Sequence, residues 1–277
     1  MPGTVGRDQA AIDAGNAAFW NELCGTRLAR AVGVTDASPE SLARYDAAYM
    51  GFYPYLDRYL PDAGASGEVL EIGLGYGTVG QILASGGLTY HGADIAEGPV
   101  GMMRHRLGHL GVGPEQAEDR VRVASALELP YEDERFDYAY SIGCLHHTGD
   151  IPRAVAEIRR VLKPGGTAVV MLYAKHSARQ AWLAAWNLPS RLLRRGPSHD
   201  ERLRWRYDRS LGGEAAPTTE FTSVAEAKRI FGGFATVQVR RENMDEPVIW
   251  RLHVPRTWFL GWPARLAGRD LYVTAVR

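Results

Sequence analysis

The densest chemistry in this chain lies in the run Val69-Leu70-Glu71-Ile72-Gly73-Leu74-Gly75-Tyr76-Gly77-Thr78. An apolar stretch carrying Glu71 breaks into glycines at alternate positions. Glycine has no Cβ and tolerates positive φ, so the backbone can turn sharply off a strand and let a ligand come close. A helix beginning after Gly77 would aim free N–H groups at an anionic group such as a carboxylate. Asp94 closes the next apolar run, where its carboxylate can accept hydrogen bonds from both hydroxyls of a ribose. Glu71 supplies a second carboxylate, which suits a cation better than a pyrophosphate. Both acids are expected to serve the ligand far more than the fold. The same letters contain Gly75-x-Gly77-x-x-Gly80, the dinucleotide fingerprint. Against a nicotinamide reading stand Glu71 and the shortage of chain for a second catalytic domain. A purely structural glycine turn is the plain alternative.

Three further motifs follow in order. Ser125-Ala126-Leu127-Glu128-Leu129-Pro130 is the first, and Phe136-Asp137-Tyr138-Ala139-Tyr140-Ser141-Ile142-Gly143-Cys144-Leu145-His146-His147 the second. Arg160-Val161-Leu162-Lys163-Pro164-Gly165-Gly166 is the third. Together with the glycine loop they resemble the class I S-adenosylmethionine (SAM) dependent methyltransferases over about residues 66–175. The resemblance implies an α/β, Rossmann-like, seven-stranded sheet with an antiparallel last strand and SAM as cofactor. It implies that Glu71, Gly73, Gly75, Tyr76 and Gly77 line the methionine side and that Asp94 binds the ribose. Ile95 would flank the adenine, Ala126 and Leu127 would frame its edge, and backbone near Ile142 and Gly143 would meet the methionine amino group. The sequence departs from the family at Gly98-Pro99, which predicts a delayed start for the helix after the second strand.

A sulfonium methyl is already activated, and holding the reactants in line supplies about 7–11 kcal/mol of the barrier. A general base helps where the acceptor is a hydroxyl, a protonated amine or a weakly acidic carbon. His146 and His147, where the fourth strand opens into the pocket, are the candidates, since histidine titrates near neutral pH. Tyr173, ending a strand on the functional edge, joins them. The plain alternative has one histidine capping the next helix and the other ordering the methionine end. A metal site of Cys144, His146 and His147 is not expected, because adjacent residues seldom converge on one ion and no further ligand is evident. Tyr45, Tyr49 and Tyr53 on one helix read as a substrate-facing wall, with Tyr173, His176, Trp182 and Trp186 opposite, although core packing explains any single aromatic.

These residues need elements to hold them. Helical spacing covers residues 8–33 and 38–60, with Ser38-Pro39 as a cap and first turn. From residue 68, short apolar strands alternate with helices: strands at 68–73, 88–95, 120–124, 136–142 and 166–173, helices at 78–85 and 152–162. That rhythm argues a parallel sheet covered on both faces. Residues 174–217 read as a helical insertion after the fifth strand. A helix at 223–231, a strand at 236–241, a helical or irregular stretch at 247–267 and a last strand at 270–276 complete the chain. The division expected is an N-terminal helical lid, 1–60, and a SAM-binding domain, 61–277.

Bulk properties narrow the partners. Acidic and basic residues balance, 32 against 32, so no global field draws nucleic acid or a membrane. Arg191–Arg209 could bind RNA or an acidic metabolite, but its interleaved acids favour a solvated helix. Two cysteines, Cys24 and Cys144, imply no disulfide framework, and no secretory start or membrane-spanning run is visible, so the chain reads as soluble and cytoplasmic. The function expected is methyl transfer to the O, N or C nucleophile of a small molecule, with natural-product tailoring as the analogy's setting. Non-methyl SAM chemistry, RNA methylation and a non-catalytic SAM-binding role are the alternatives. Oligomeric state is not legible.

Overall fold

The computed structural model describes residues 8–22, 26–186, 199–245, 248–249, 252–253 and 255–277. Cys24, Arg191, Arg194 and Arg195 lie outside the described residues, as does the side chain of Trp186.

The chain opens with three helices, α1 (Gln9–Trp20), α2 (Thr26–Ala31) and α3 (Pro39–Phe52). Ser38 caps α3 by accepting from the Ser41 amide, and Pro39 occupies the first turn, where its missing N–H costs nothing. A 3-10 turn, Leu56–Tyr59, leads to the sheet.

Strands β1 (Glu68–Ile72), β2 (Thr89–Asp94), β3 (Val121–Val123), β4 (Phe136–Ile142) and β5 (Leu162–Tyr173) pair in parallel. Strand β6 (Thr236–Glu242) and the last strand, β9 (Asp270–Val276), finish a seven-stranded sheet of order β3-β2-β1-β4-β5-β9-β6. β9 runs antiparallel to both its neighbours. The order reverses between β1 and β4, and in such sheets ligands bind beyond the strand ends at that reversal.

Alternation along β1 decides which face each side chain meets. Leu70 and Ile72 join a core under helices α7 (Ile151–Val161) and α10 (Val224–Ile230), with Ile158 and Phe231. Val69 points to the opposite face, under α4 (Thr78–Ser85) and α5 (Glu97–His109), with Leu83 and Met103. Glu71 shares the Val69 side, so a carboxylate is carried into an apolar layer. Helix α6 (Pro114–Arg120) closes that layer through Ala117.

The letters of the third motif have a structural use. β5 extends back to Leu162, but between its pairings Phe136↔Leu162 and Tyr138↔Thr167 it takes extra residues that bulge out of register. Gly165 sits there at φ 81°. Lys163 reaches Asp137 at 2.8 Å, and the same carboxylate oxygen accepts from the Glu68 amide at 2.8 Å. Asp137 and Lys163 thus fasten the entries of β1, β4 and β5 together.

Two expectations change. Helix α5 is not delayed: it starts at Glu97, because Pro99 falls in the first turn, where proline is tolerated. Gly98 has its own reason, since a Cβ there would lie 2.3 Å from the Asn21 carbonyl oxygen. The stretch 247–267 is not wholly helical or irregular. It carries a hairpin, β7 (Val248–Ile249) with β8 (Leu252–His253), before the 3-10 turn Arg256–Phe259 and α11 (Trp262–Ala267). In the insertion, α8 (Ala178–Trp186) and α9 (His199–Tyr207) are helical as expected.

Candidate active site

A cavity of about 340 Å³ opens at the sheet reversal. Its floor is the loop after β1. Gly73, Gly75 and Gly77 all have positive φ, at 82°, 51° and 82°. The space above two of them is already spoken for. A Cβ on Gly73 would lie 2.3 Å from the Cys144 Cβ, and one on Gly77 would lie 2.7 Å from the Arg106 Cδ. Gly80, in α4, is held to glycine by Glu71, whose Oε2 would be 2.6 Å from an added Cβ.

Glu71 is buried and accepts from the Tyr90 hydroxyl at 2.5 Å. Burial pushes its carboxyl up to about 8, against the downward pull of that hydroxyl. From the ordinary 4.5 to about 8 the folded protein keeps a proton that the unfolded chain has released, so stability falls as pH rises through that window. Glu71→Gln imitates the protonated acid. Relative to the wild type it should gain stability from about pH 5 to about pH 8, at up to about 1.4 kcal/mol per pH unit. Urea midpoints at both ends measure this; a difference that does not change with pH would contradict it.

Asp94 also lines the cavity. Its two oxygens accept from the Leu74 amide at 2.8 Å and the Ala96 amide at 2.9 Å, which fixes the carboxylate between the glycine loop and the start of α5. Burial raises its pKa, and those two amide bonds oppose the rise.

A second layer holds the loop from behind. Arg106, buried on α5, clasps Asp46 of α3 with two hydrogen bonds, at 2.8 and 2.9 Å. Its Nε donates to the Tyr76 carbonyl at 2.8 Å, and the Thr78 hydroxyl donates to Asp46 at 2.6 Å. Tyr76 stacks on Tyr45, ring centroids 4.1 Å apart. Sequence reasoning missed Asp46 and Arg106. The signal available was an arginine on the same helical face as Val100, Met103 and Leu107, where a charge requires a partner.

Most of the expected residues meet at the cavity: Glu71, Gly73, Gly75, Tyr76, Gly77, Asp94, Ile95, Ala126, Ile142 and Gly143, together with Tyr45, Tyr49, Tyr53, His147 and Tyr173. Three do not. Leu127 turns into the core under α7. His146 is fully buried behind the wall, its ring 3.9 Å from that of Tyr173. His176 is exposed on the surface. Trp182 is also outside, 53% exposed beneath the guanidinium of Arg206. Sequence spacing alone does not report which side of a wall a residue takes.

The part of the cavity around His147 is polar. His147 contacts the Thr218 carbonyl through Nδ1 at 2.7 Å; a carbonyl only accepts, so Nδ1 carries the proton. Burial lowers its pKa, with Asp208 and the Thr218 bond pulling upward. Asp208, at the end of α9, accepts from the Tyr173 hydroxyl at 3.0 Å. Helix α1 covers this part: Asn16 donates to the His147 carbonyl at 2.7 Å, and Trp20 lies 4.7 Å from the imidazole, ring to ring. Asp208, Asn16 and Trp20 were all missed, because they reach the site from segments that carry no motif.

The described part of the arginine run is engaged within the chain. Arg204 donates to the carbonyls of Ala216 and Pro217, and Arg209 lies over Trp205.

Comparison with known proteins agrees with this geometry. Residues 70–170 match the family described as Methyltransferase domain. Over 116 residues the chain is 30% identical to phosphoethanolamine N-methyltransferase 2 of Caenorhabditis elegans, covering 41% of this chain and 25% of that one. Over 112 residues it is 35% identical to the methyltransferase GfsG of Streptomyces halstedii, covering 39% and 38%. The matched region is thus well under half the length of either relative. Geranyl diphosphate C-methyltransferase from Streptomyces coelicolor A3(2), in complex with Mg2+, geranyl diphosphate and S-adenosyl-L-homocysteine, superimposes with a TM-score of 0.53 at 16% identity, over 100% of this chain and 98% of that one. Residues 70–170 are thus similar to a methyltransferase domain, and the sheet has the fold of the solved methyltransferase it superimposes on. Among the described residues, no helix is long and apolar enough to cross a membrane.

Proposed function

We propose that this protein transfers the methyl group of SAM to a small-molecule acceptor. One observation carries the reading: one cavity is lined both by the glycine loop and Asp94 and by His147, Tyr173 and Asp208. The residues present fit the cofactor. Gly73, Gly75 and Gly77 supply the positive φ that the turn off β1 needs, Asp94 offers oxygens for a diol, and the apolar Ile95 and Ala126 suit a purine. Glu71, Tyr76 and the backbone at Ile142 and Gly143 would hold the methionine part. Bound SAM supplies a methyl on a cationic sulfur, ready for in-line displacement.

The protein's own part is then to hold, orient and exclude water. Helices α1 and α3, within the N-terminal segment 1–60, cover the cavity as a lid, and the insertion 174–217 supplies Asp208. Of the catalytic candidates, His147 and Tyr173 stand at the acceptor end, and His146 supports them from behind. Incubation with SAM and an acceptor mixture, followed by mass analysis, tests the reading. S-adenosylhomocysteine is the expected product; methylthioadenosine would instead mean attack at another carbon beside the sulfur.

A further inference from the structure

The acceptor end of the cavity presents an unusual hydrogen-bonding demand. With Nδ1 of His147 donating to the Thr218 carbonyl, the neutral ring leaves Nε2 as a bare lone pair. With Oδ1 of Asp208 accepting from Tyr173, Oδ2 is left as a second acceptor. These two atoms are 3.6 Å apart, both are buried, and neither has a hydrogen-bond partner. Two acceptors cannot satisfy each other, and buried acceptors without a donor are costly. Both residues line the cavity, so the missing donor can come from a ligand.

The charges that line the cavity itself are one-sided. Among the described residues, the cavity wall includes Asp13, Asp94 and Asp208, the protonated carboxyl of Glu71, and no lysine or arginine, although Arg179 and Arg269 act on Asp208 from outside the wall. A phosphorylated or carboxylated acceptor would find no cation there, and an alkoxide would form beside Asp208. The rings of Trp20 and Tyr173 flank the histidine, at 4.7 and 6.1 Å from its centroid, and ring faces attract cations.

We propose that the acceptor is a basic amine, bound as its ammonium, whose N–H groups bridge His147 Nε2 and Asp208 Oδ2. This rests on the methyl-transfer reading and narrows it to N-methylation. A hydroxyl has one hydrogen to give; an amine nitrogen can serve both acceptors. The ammonium passes one proton to His147 Nε2, and the freed nitrogen lone pair forms the bond to the methyl carbon. The C–S bonding pair stays on sulfur. The products are the N-methylated ammonium, S-adenosylhomocysteine, and the proton that His147 returns to solvent. Positive charge grows on nitrogen as the methyl arrives, so Asp208 and the rings bind the transition state better than the neutral amine. Burial keeps the imidazole unprotonated, so Nε2 is free for the proton, and Asp208 beside it stabilises the imidazolium that forms.

The test is calorimetry on protein saturated with S-adenosylhomocysteine, using 2-phenylethylamine, 2-phenylethanol and phenylacetate as matched probes. The amine should bind at least about tenfold tighter than the alcohol, a difference of about 1.4 kcal/mol, and phenylacetate weakest. Asp208→Asn should bring amine and alcohol within about threefold while leaving S-adenosylhomocysteine affinity in place. An alcohol or carboxylate bound as well as the amine overturns the proposal, with the wild type alone. So does an amine preference that survives Asp208→Asn. So does a zinc ion held by His146, His147 and Asp208, whose ligand-capable atoms lie within 4.8 Å of one another, that the amine cannot displace. Failure to bind S-adenosylhomocysteine at all would instead overturn the methyl-transfer reading beneath it.

Discussion

Arg106→Met should lower the stability of the fold by about 3 kcal/mol and weaken S-adenosylhomocysteine binding by about tenfold or more. The side chain is 1% exposed, yet it never touches the cavity; it acts through what it holds. Removing it leaves Asp46 without its bidentate partner and the Tyr76 carbonyl without its donor. Breaking a buried pair by deleting one member costs about 3–5 kcal/mol, and the low end applies because the Asp46 side chain is 20% exposed. Methionine restores volume, so the loss is not one of packing. The effect on binding follows from the loop, since Arg106 fixes the peptide between Tyr76 and Gly77 and fills the space above Gly77. Asp46→Ala should produce much of the same loss, and the double variant little more than either single one, because the two residues form one unit. Urea unfolding of the four proteins measures the coupling; additive losses would show that the clasp is not a clasp.

Asp94→Ala is the second large effect. A ribose diol donating to a carboxylate makes two charge-assisted hydrogen bonds, each worth about 1.5–3 kcal/mol, so affinity for S-adenosylhomocysteine should fall at least about 100-fold. Here the structure also tempers the expectation that the acid serves the ligand far more than the fold. Its oxygens satisfy the Leu74 and Ala96 amides, which are left without that acceptor in the variant. Leaving a buried donor unpaired costs about 1–3 kcal/mol, so stability should drop by a few kcal/mol as well. Titration calorimetry and urea unfolding on the same preparation separate the two losses. A variant that keeps its affinity would remove Asp94 from the site.

The individual strands and the glycine loop were legible because each has a local cause, whereas the seven-stranded sheet with its antiparallel last strand came from the family resemblance. Buried parallel strands are short apolar runs, glycines stand where φ is positive, and Ser38-Pro39 starts a helix by its own chemistry. The lower half of the site was readable for the same reason: Glu71 through Gly77, Asp94 and Ala126 are set by strand ends. The upper half was not. His146 and His147 are adjacent in sequence, and only packing against Tyr173 and Trp20 decides that the second faces the cavity and the first does not. Asp208 and Asp46 come from segments without motifs, and their roles exist only once α9 and α3 have packed on the sheet. Leu127 illustrates the converse, a motif residue drawn into the core beside α7. His176 follows a strand end closely, yet the chain has already turned outward there.

Titration of the intact protein with S-adenosylhomocysteine is the most direct measurement of all. One equivalent should bind, with a dissociation constant in the micromolar range or tighter, and NADH should not compete. Saturable binding of NADH with none of S-adenosylhomocysteine would contradict the assignment of the loop after β1.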